Sequence, residues 1–227
     1  MLFRSIARTQ WTNFYLDGAN LTLGTAKNNS IKTITYDAMG DGVTFSMPPM
    51  DKETEITGPA ALKLFVSSTT ADADLFVILR VFDPQNKEVL FQGALDPKTP
   101  VAQGWLRASH RKLDKAKSLP YRPYHTHDEN QPLTPGEVVE LDIEIWPTCI
   151  VVPKGYRIAL TIKGKDYDHG LSAASLSNMK NPMSGCGPFM HDDPDDRPPD
   201  IFGGNVTLHF GPQYPAAMLL PVVPAKV

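Results

Sequence analysis

The chain carries 227 residues, a formal net charge of -3, and 41% hydrophobic and 21% charged side chains, the composition of an ordinary globular protein and not of a disordered one. Near-neutral charge, with no run of lysine and arginine interleaved with aromatics, excludes a strong pull on nucleic acid or on an anionic membrane. Its 21 prolines are roughly twice the usual share, and because proline removes a backbone donor and fixes φ, they favour turns and strand edges over helix interiors.

Met1-Leu2-Phe3-Arg4-Ser5 lacks the apolar stretch of a signal peptide, and no apolar run reaches bilayer-spanning length. Two cysteines, Cys149 and Cys186, are too few for a disulfide framework, so the expected compartment is the cytoplasm. Residues 1–54 read as a lead-in segment with the first strands. In it Trp11, Phe14, Tyr15 and Leu16 are bulky and apolar without an evident strand pattern. Leu62, Leu64 and Val66 alternate with Lys63, Phe65 and Ser67, which marks a half-buried strand. Asp72 and Asp74 flank Ala73 just before the almost continuously apolar run Leu75 to Phe82, which reads as a strand buried on both faces. The two aspartates suit either acid–base work or a turn in which they accept backbone N–H bonds.

Asp83-Pro84-Gln85-Asn86-Lys87 predicts a turn leading into a strand over 88–92. After Pro135-Gly136, Val139, Leu141, Ile143 and Ile145 alternate with Glu140, Asp142 and Glu144. After Pro153-Lys154-Gly155, Tyr156, Ile158, Leu160 and Ile162 do the same. These two segments read as antiparallel neighbours. Val206, Leu208 and Phe210 mark a late half-buried strand, and Gly170 to Met179 is the best helical candidate. About ten short, turn-separated strands predict an all-β sandwich or jelly roll, interrupted by long irregular loops over 111–134 and 165–204. The second loop carries the bulky apolar residues Phe189, Met190, Ile201 and Phe202.

A serine nucleophile on an α/β-hydrolase elbow needs G-x-S-x-G, which is absent. Gly170-Leu171-Ser172-Ala173-Ala174 comes near, beside Asp166, Asp168 and His169, but without the repeated βα context. His125-Thr126-His127 with Asp128 or Glu129 could hold a metal, and the acidic run from His191 to Asp196 could hold calcium; both read better as solvated loop, since neither has a recognisable ligand spacing. Cys149 reads as an inert core thiol and Cys186 as the more exposed one. Trp105, Trp146 and Tyr156 could stack on a sugar, although aromatics at strand positions are usually core. No catalytic residue, metal or cofactor is expected in the chain.

Several segments in order resemble the C-terminal domain of the X-prolyl dipeptidyl peptidase, cocaine esterase and α-amino-acid ester hydrolase superfamily. They are Ile56-Thr57-Gly58-Pro59, Ser67-Ser68 with Ala71-Asp72-Ala73-Asp74-Leu75-Phe76, and Gly104-Trp105-Leu106-Arg107-Ala108-Ser109-His110-Arg111. Pro132-Leu133-Thr134-Pro135-Gly136-Glu137, Ile145-Trp146-Pro147-Thr148 and Pro153-Lys154-Gly155-Tyr156-Arg157 follow. The resemblance implies a galactose-binding-domain-like jelly roll over residues 55–227, one structural domain with the lead-in segment. It further implies a non-catalytic accessory role beside an α/β-hydrolase catalytic domain that holds the whole serine triad. Arg107, Ser109 and His110, with Asp72 and Asp74, are then candidates for a polar network, at the domain contact or inside this domain. Trp11, Phe14, Tyr15, Leu16, Phe189, Met190, Ile201 and Phe202 are candidates for an apolar contact surface, through which copies could also associate. A free-standing carbohydrate- or ligand-binding jelly roll is the alternative. Hydrolysis by this chain itself, through Ser172 or through Ser109 and His110, is a third reading.

Overall fold

The computed structural model describes residues 6–27, 29–188 and 190–225. Within them the backbone forms eleven strands: β1 (Gln10–Asp17), β2 (Thr22–Gly24), β3 (Lys32–Asp37), β4 (Val43–Ser46), β5 (Thr54–Ser68), β6 (Asp74–Phe82), β7 (Ala102–Arg107), β8 (Val139–Val152), β9 (Arg157–Lys163), β10 (Asn205–Phe210) and β11 (Ala217–Val223). A 3-10 turn at Ala108–His110 and a single helical turn, α1 (Pro199–Phe202), complete the regular structure of the described residues. The proline-rich sequence thus resolves into an all-β fold, as its composition predicts.

Strand order is β3-β10-β5-β11-β1-β2-β4-β9-β6-β7, with β8 on the other edge of β5. The sheet turns over at the one parallel contact, Thr22 of β2 against Ser46 of β4. Strands β4, β9, β6 and β7 then face β10, β5, β11 and β8 across a shared core, which makes the molecule a β-sandwich. Period-two alternation supplies that core: Leu62, Leu64 and Val66 of β5 and Leu141, Ile143 and Ile145 of β8 point inward to Val77 and Leu79 of β6 and Leu160 of β9. Their polar neighbours point out, where Lys63 pairs with Glu140 and, at 2.9 Å, with Asp142 across the β5–β8 ladder.

Two irregularities position the surface described below. Pro59 has no N–H to give the ladder. The β5–β8 register slips there, from Gly58 opposite Thr148 to Ala60 opposite Ile145, so that Trp146 and Pro147 together face one residue. Such a bulge re-aims side chains. Strands β7 and β8 also come into direct backbone contact at Gly104, where a methyl group would lie 1.9 Å from the carbonyl oxygen of Glu144.

Several expectations from the sequence need correction. β8 and β9 are not neighbours: β8 pairs with β5, whereas β9 lies between β4 and β6, so the turn after Pro153 carries the chain from one layer to the other. Residues 88–92 make isolated bridges, Glu88 to Phe82 and Phe91 to Thr99, and no strand. Residues 170–179 are not helical; bends and one bridge, Ala174 to Met183, replace the expected turn of helix. Trp11, Phe14, Tyr15 and Leu16, read as lacking a strand pattern, lie on β1, which sits between β11 and β2, while β3 pairs with β10 and β4 with β9. Leu75 to Phe82 is indeed covered twice: Val77 and Leu79 face the main core, and Phe76 and Ile78 meet Tyr167 of the late loop on the other side.

The close approach at Gly104 gives a direct test. Gly104→Ala should lower the unfolding free energy by about 1–3 kcal/mol, seen as a lower urea midpoint at unchanged slope. Gly24→Ala, with open space around the added methyl, should change it by less than about 0.5 kcal/mol.

Candidate functional site

Arg107, at the end of β7, lies beside Asp74 at the start of β6 because the two residues are register partners. The guanidinium donates from Nε to Oδ1 at 2.9 Å and from Nη2 to Oδ2 at 3.1 Å, a fork-on-fork pair. Arg197 of the late loop approaches the same carboxylate, Nε to Oδ2 at 2.9 Å, and donates to the carbonyls of His191 and Gly164 at 2.6 and 2.7 Å. Arg107 reaches onward to Asp196, Nη2 to Oδ2 at 2.9 Å. Each arginine also lies over an aromatic ring, Arg107 over Phe202 at 4.3 Å and Arg197 over Phe76 at 5.2 Å. Asp74 first, and then Asp196, hold the Arg107 guanidinium well above its ordinary range.

Asp72 does the same work for the backbone. Its Oδ1 accepts the N–H groups of Ala73 and Ser109, at 2.9 and 3.0 Å, both in buried surroundings. The structure therefore brings Asp72, Asp74, Arg107 and Ser109 together at the start of β6 and the end of β7. His110 turns away, its Nδ1 3.0 Å from Nδ1 of His127. Arg197 is the member that the sequence did not single out; its position in an acidic run opposite two loop-end aspartates was the available signal.

On the outer side of β6 and β7 these residues hold the late loop against an aromatic pocket. Trp105 and Trp146 are 46% and 55% exposed and meet edge to face, ring centroids 5.3 Å apart. His191 packs its ring against Trp105 and Phe76, centroids 5.2 and 5.3 Å away. Its orientation is fixed by Asp166, which takes the His191 Nδ1 at 2.9 Å and the His191 N–H at 2.6 Å. Phe76, Trp105, Trp146 and His191 enclose a hollow of about 200 Å³. A shallower hollow of about 350 Å³ over Leu95, Val101, Pro147 and Pro188 adjoins it through Gln103, Trp146 and Cys186, which line both. The two tryptophans were expected in the core. Their strands' phase explains the difference: Leu106 and Ala102 point inward on β7, so Trp105 points out, and Ile145 points inward on β8, so Trp146 follows the bulge outward.

The apolar residues expected at a contact surface divide. Leu16 and Phe202 are 2% and 5% exposed, Leu16 in the main core and Phe202 beneath Arg107, which corrects the expectation that they form exposed surface. Phe14 packs against the core. Trp11 stacks on Tyr121 at 4.0 Å and lines, with Tyr15, a groove of about 710 Å³ between β1, β11 and the loop at 113–123. Met190 and Ile201 are exposed, and Phe189 lies outside the described residues.

Side chains of a type suited to chemistry are engaged elsewhere. Ser109 is buried and its neighbour His110 turns to His127, so no base stands against its hydroxyl. His169 Nδ1 accepts the N–H of Leu171. His125 and His127 lie with ring centroids 6.0 Å apart, and among the described residues no group of three or more His, Cys, Asp or Glu is placed to hold a metal ion. In the acidic run Asp193 binds the N–H of Asp195 and Asp196 binds Arg107. Burial, and then the charge of Asp166, push the Cys186 thiol up to about 11, the opposite of activation. Cys149 is exposed on β8, where an inert core position was expected. Among the described residues no helix is long and apolar enough to cross a membrane.

Residues 6–216 match the model of the X-Pro dipeptidyl-peptidase C-terminal non-catalytic domain. A protein that carries the name of a serine esterase, from Mycobacterium bovis, is 30% identical over 167 residues, 71% of this chain and 23% of that protein. The fold is similar to that of a CocE/NonD family hydrolase from Staphylococcus aureus, with a TM-score of 0.82 and 29% identity, covering 96% of this chain and 37% of the other. An α-amino acid ester hydrolase shares the fold alone, with a TM-score of 0.62 at 14% identity, covering 93% of this chain and 36% of that one. The chain thus spans less than half the length of each of these proteins.

Two outcomes are expected from this geometry. Asp74→Ala leaves two guanidinium groups facing each other without their carboxylate; it should cost about 3 kcal/mol in urea unfolding and open the 165–204 loop to limited proteolysis. Iodoacetamide at pH 8 should alkylate Cys149 well before Cys186, with Cys186 gaining speed only as the pH approaches 11, followed by peptide mass spectrometry.

Proposed function

Because the chain belongs to the family of X-Pro dipeptidyl-peptidase C-terminal non-catalytic domains, we propose that it serves as the accessory domain of a serine hydrolase acting on acyl or peptidyl bonds, packing on an α/β-hydrolase domain and forming one wall of its substrate cleft. The observation that carries this reading is the exposed tryptophan pair. Two large aromatic side chains, mutually packed and joined to two apolar hollows, are the kind of surface that a monomer rarely leaves in water. While Asp72 braces the adjoining backbone, the clamp of Asp74, Arg107 and Arg197 supports that face from behind, since it anchors the loop that carries Met190 and His191. Its role at a domain contact is therefore indirect. Left uncovered, the same face offers a second copy of the chain a place to pair.

A triad has no place in this arrangement. Nucleophile, base and oxyanion donors must converge within hydrogen-bond reach, and among the described residues neither Ser109 nor Ser172 has a histidine set against its hydroxyl. A carbohydrate-binding role is less well supported, since Tyr156 packs toward the main core and leaves no flat row of three aromatics.

The purified chain should hydrolyse neither p-nitrophenyl acetate nor an X-prolyl p-nitroanilide; turnover abolished by Ser172→Ala would overturn the non-catalytic assignment. In a Trp11→Phe background, acrylamide should quench Trp105 and Trp146 freely, and addition of an α/β-hydrolase domain of this family should reduce that quenching. Unchanged quenching in a formed complex would move the contact elsewhere.

A further inference from the structure

The hollow beside the tryptophan pair has a definite size and a definite polarity. Its volume is about 200 Å³. An apolar cavity of roughly 150 Å³ admits benzene, so one six-membered ring with a small substituent fits. The side walls are aromatic: Trp105 and Trp146 cross at 66°, and Phe76 closes the far side against His191. Aromatic groups set edge to face in this way favour a ring as their guest.

Polarity narrows the guest further. Gln103 has its Nε2 on the carbonyl of Gly185 at 3.0 Å, and both carboxylate oxygens of Asp166 are engaged by His191. An ionised carboxylate can only accept, so Nδ1 of His191 is the donor of that pair, and Nε2 on the other side of the ring has no hydrogen bond among the described residues. The pocket thus sets a few polar groups, the free edge of the His191 ring among them with Gln103 and Cys186, in largely aromatic surroundings. A sugar would bring several hydroxyls that could not all be satisfied, and burying them unpaired is unfavourable.

We infer that this hollow is a subsite for a single aromatic ring bearing one small hydrogen-bonding substituent, a phenol being the simplest case. In the assembled hydrolase it receives such a ring from the substrate; this second statement rests on the reading of the tryptophan face as a wall of the cleft, whereas the first does not.

The experiment follows the three tryptophan indole N–H signals of the ¹⁵N-labelled chain during titration with p-cresol and, separately, toluene. The Trp105 and Trp146 signals should move and that of Trp11 should not, with p-cresol bound roughly three- to tenfold more tightly than toluene, the worth of one hydrogen bond. His191→Phe should erase that preference while keeping toluene binding, with an unmoved Trp11 signal reporting that the fold is intact. No shift of Trp105 or Trp146 up to the solubility limit of p-cresol, or equal binding of the two compounds by the unaltered chain, overturns the subsite. Exclusion of p-cresol on adding the hydrolase domain leaves the subsite standing and overturns its substrate role.

Discussion

Asp74 sits at the point where β6 begins, with one guanidinium on each side of its carboxylate, and the outer layer of the molecule hangs on that balance of charge. Arg107 ties it to β7, and Arg197 ties it to a loop of some forty residues that has no sheet of its own to belong to. Neither arginine is bonded to Asp74 alone. One continues to Asp196, the other to two backbone carbonyls, so the carboxylate is the node of a net and not one end of a pair. Two cations this close would repel each other without it, and desolvation would add to the penalty. The ion cluster thus substitutes for a strand: it fixes irregular chain over β6, giving that strand the second buried face its apolar sequence demands.

Much of this fold can be read from alternation alone, but alternation reports which face a residue occupies and not which strand it meets. β8 and β9 show the limit. Both carry clean period-two patterns joined by a proline–glycine turn, and both are strands, yet they belong to different layers. A hairpin turn and a crossover turn of the same length look alike in sequence. Trp105 and Trp146 show the opposite case, in which the signal was present and outweighed by a general preference of aromatics for the interior. The phase of Leu106 and of Ile145 already assigns both tryptophans to the outside. β1 was obscured for a related reason: Trp11, Asn13 and Tyr15 line an outer groove while Leu16 enters the core, and apolar residues on both faces hide the alternation.

The polar residues that seemed suited to chemistry are mostly structural, for a common physical reason. Where the described residues hold only two short helical turns, the ends of strands and the long loops between them leave many backbone groups without ladder partners. Asp72, Asp83, Asp96, Asp114 and Asp193 accept such N–H groups. Asp96 is a clear instance, buried and holding Gly185 and Gly187 of the late loop. His191 stands apart because its partner leaves a nitrogen of its ring unengaged. Spacing along the chain could not reveal this, since Asp166 and His191 are brought together only by the course of the loop between them.

The pairing of β1 with β11, in register from Gln10 opposite Val222 to Tyr15 opposite Ala217, has a consequence for how the protein comes into being. During synthesis the first strand of this sandwich must wait for its last, and β3 likewise must await β10. Neither layer can close until nearly all of the sandwich has been made, and the loop entropy of such distant contacts is met before the contacts repay it. Until then the apolar faces of β5, β6 and β8 have no finished layer to cover them. The interval between synthesis of Val66 and synthesis of Met218 is the period in which this molecule is most exposed to aggregation and most dependent on chaperones.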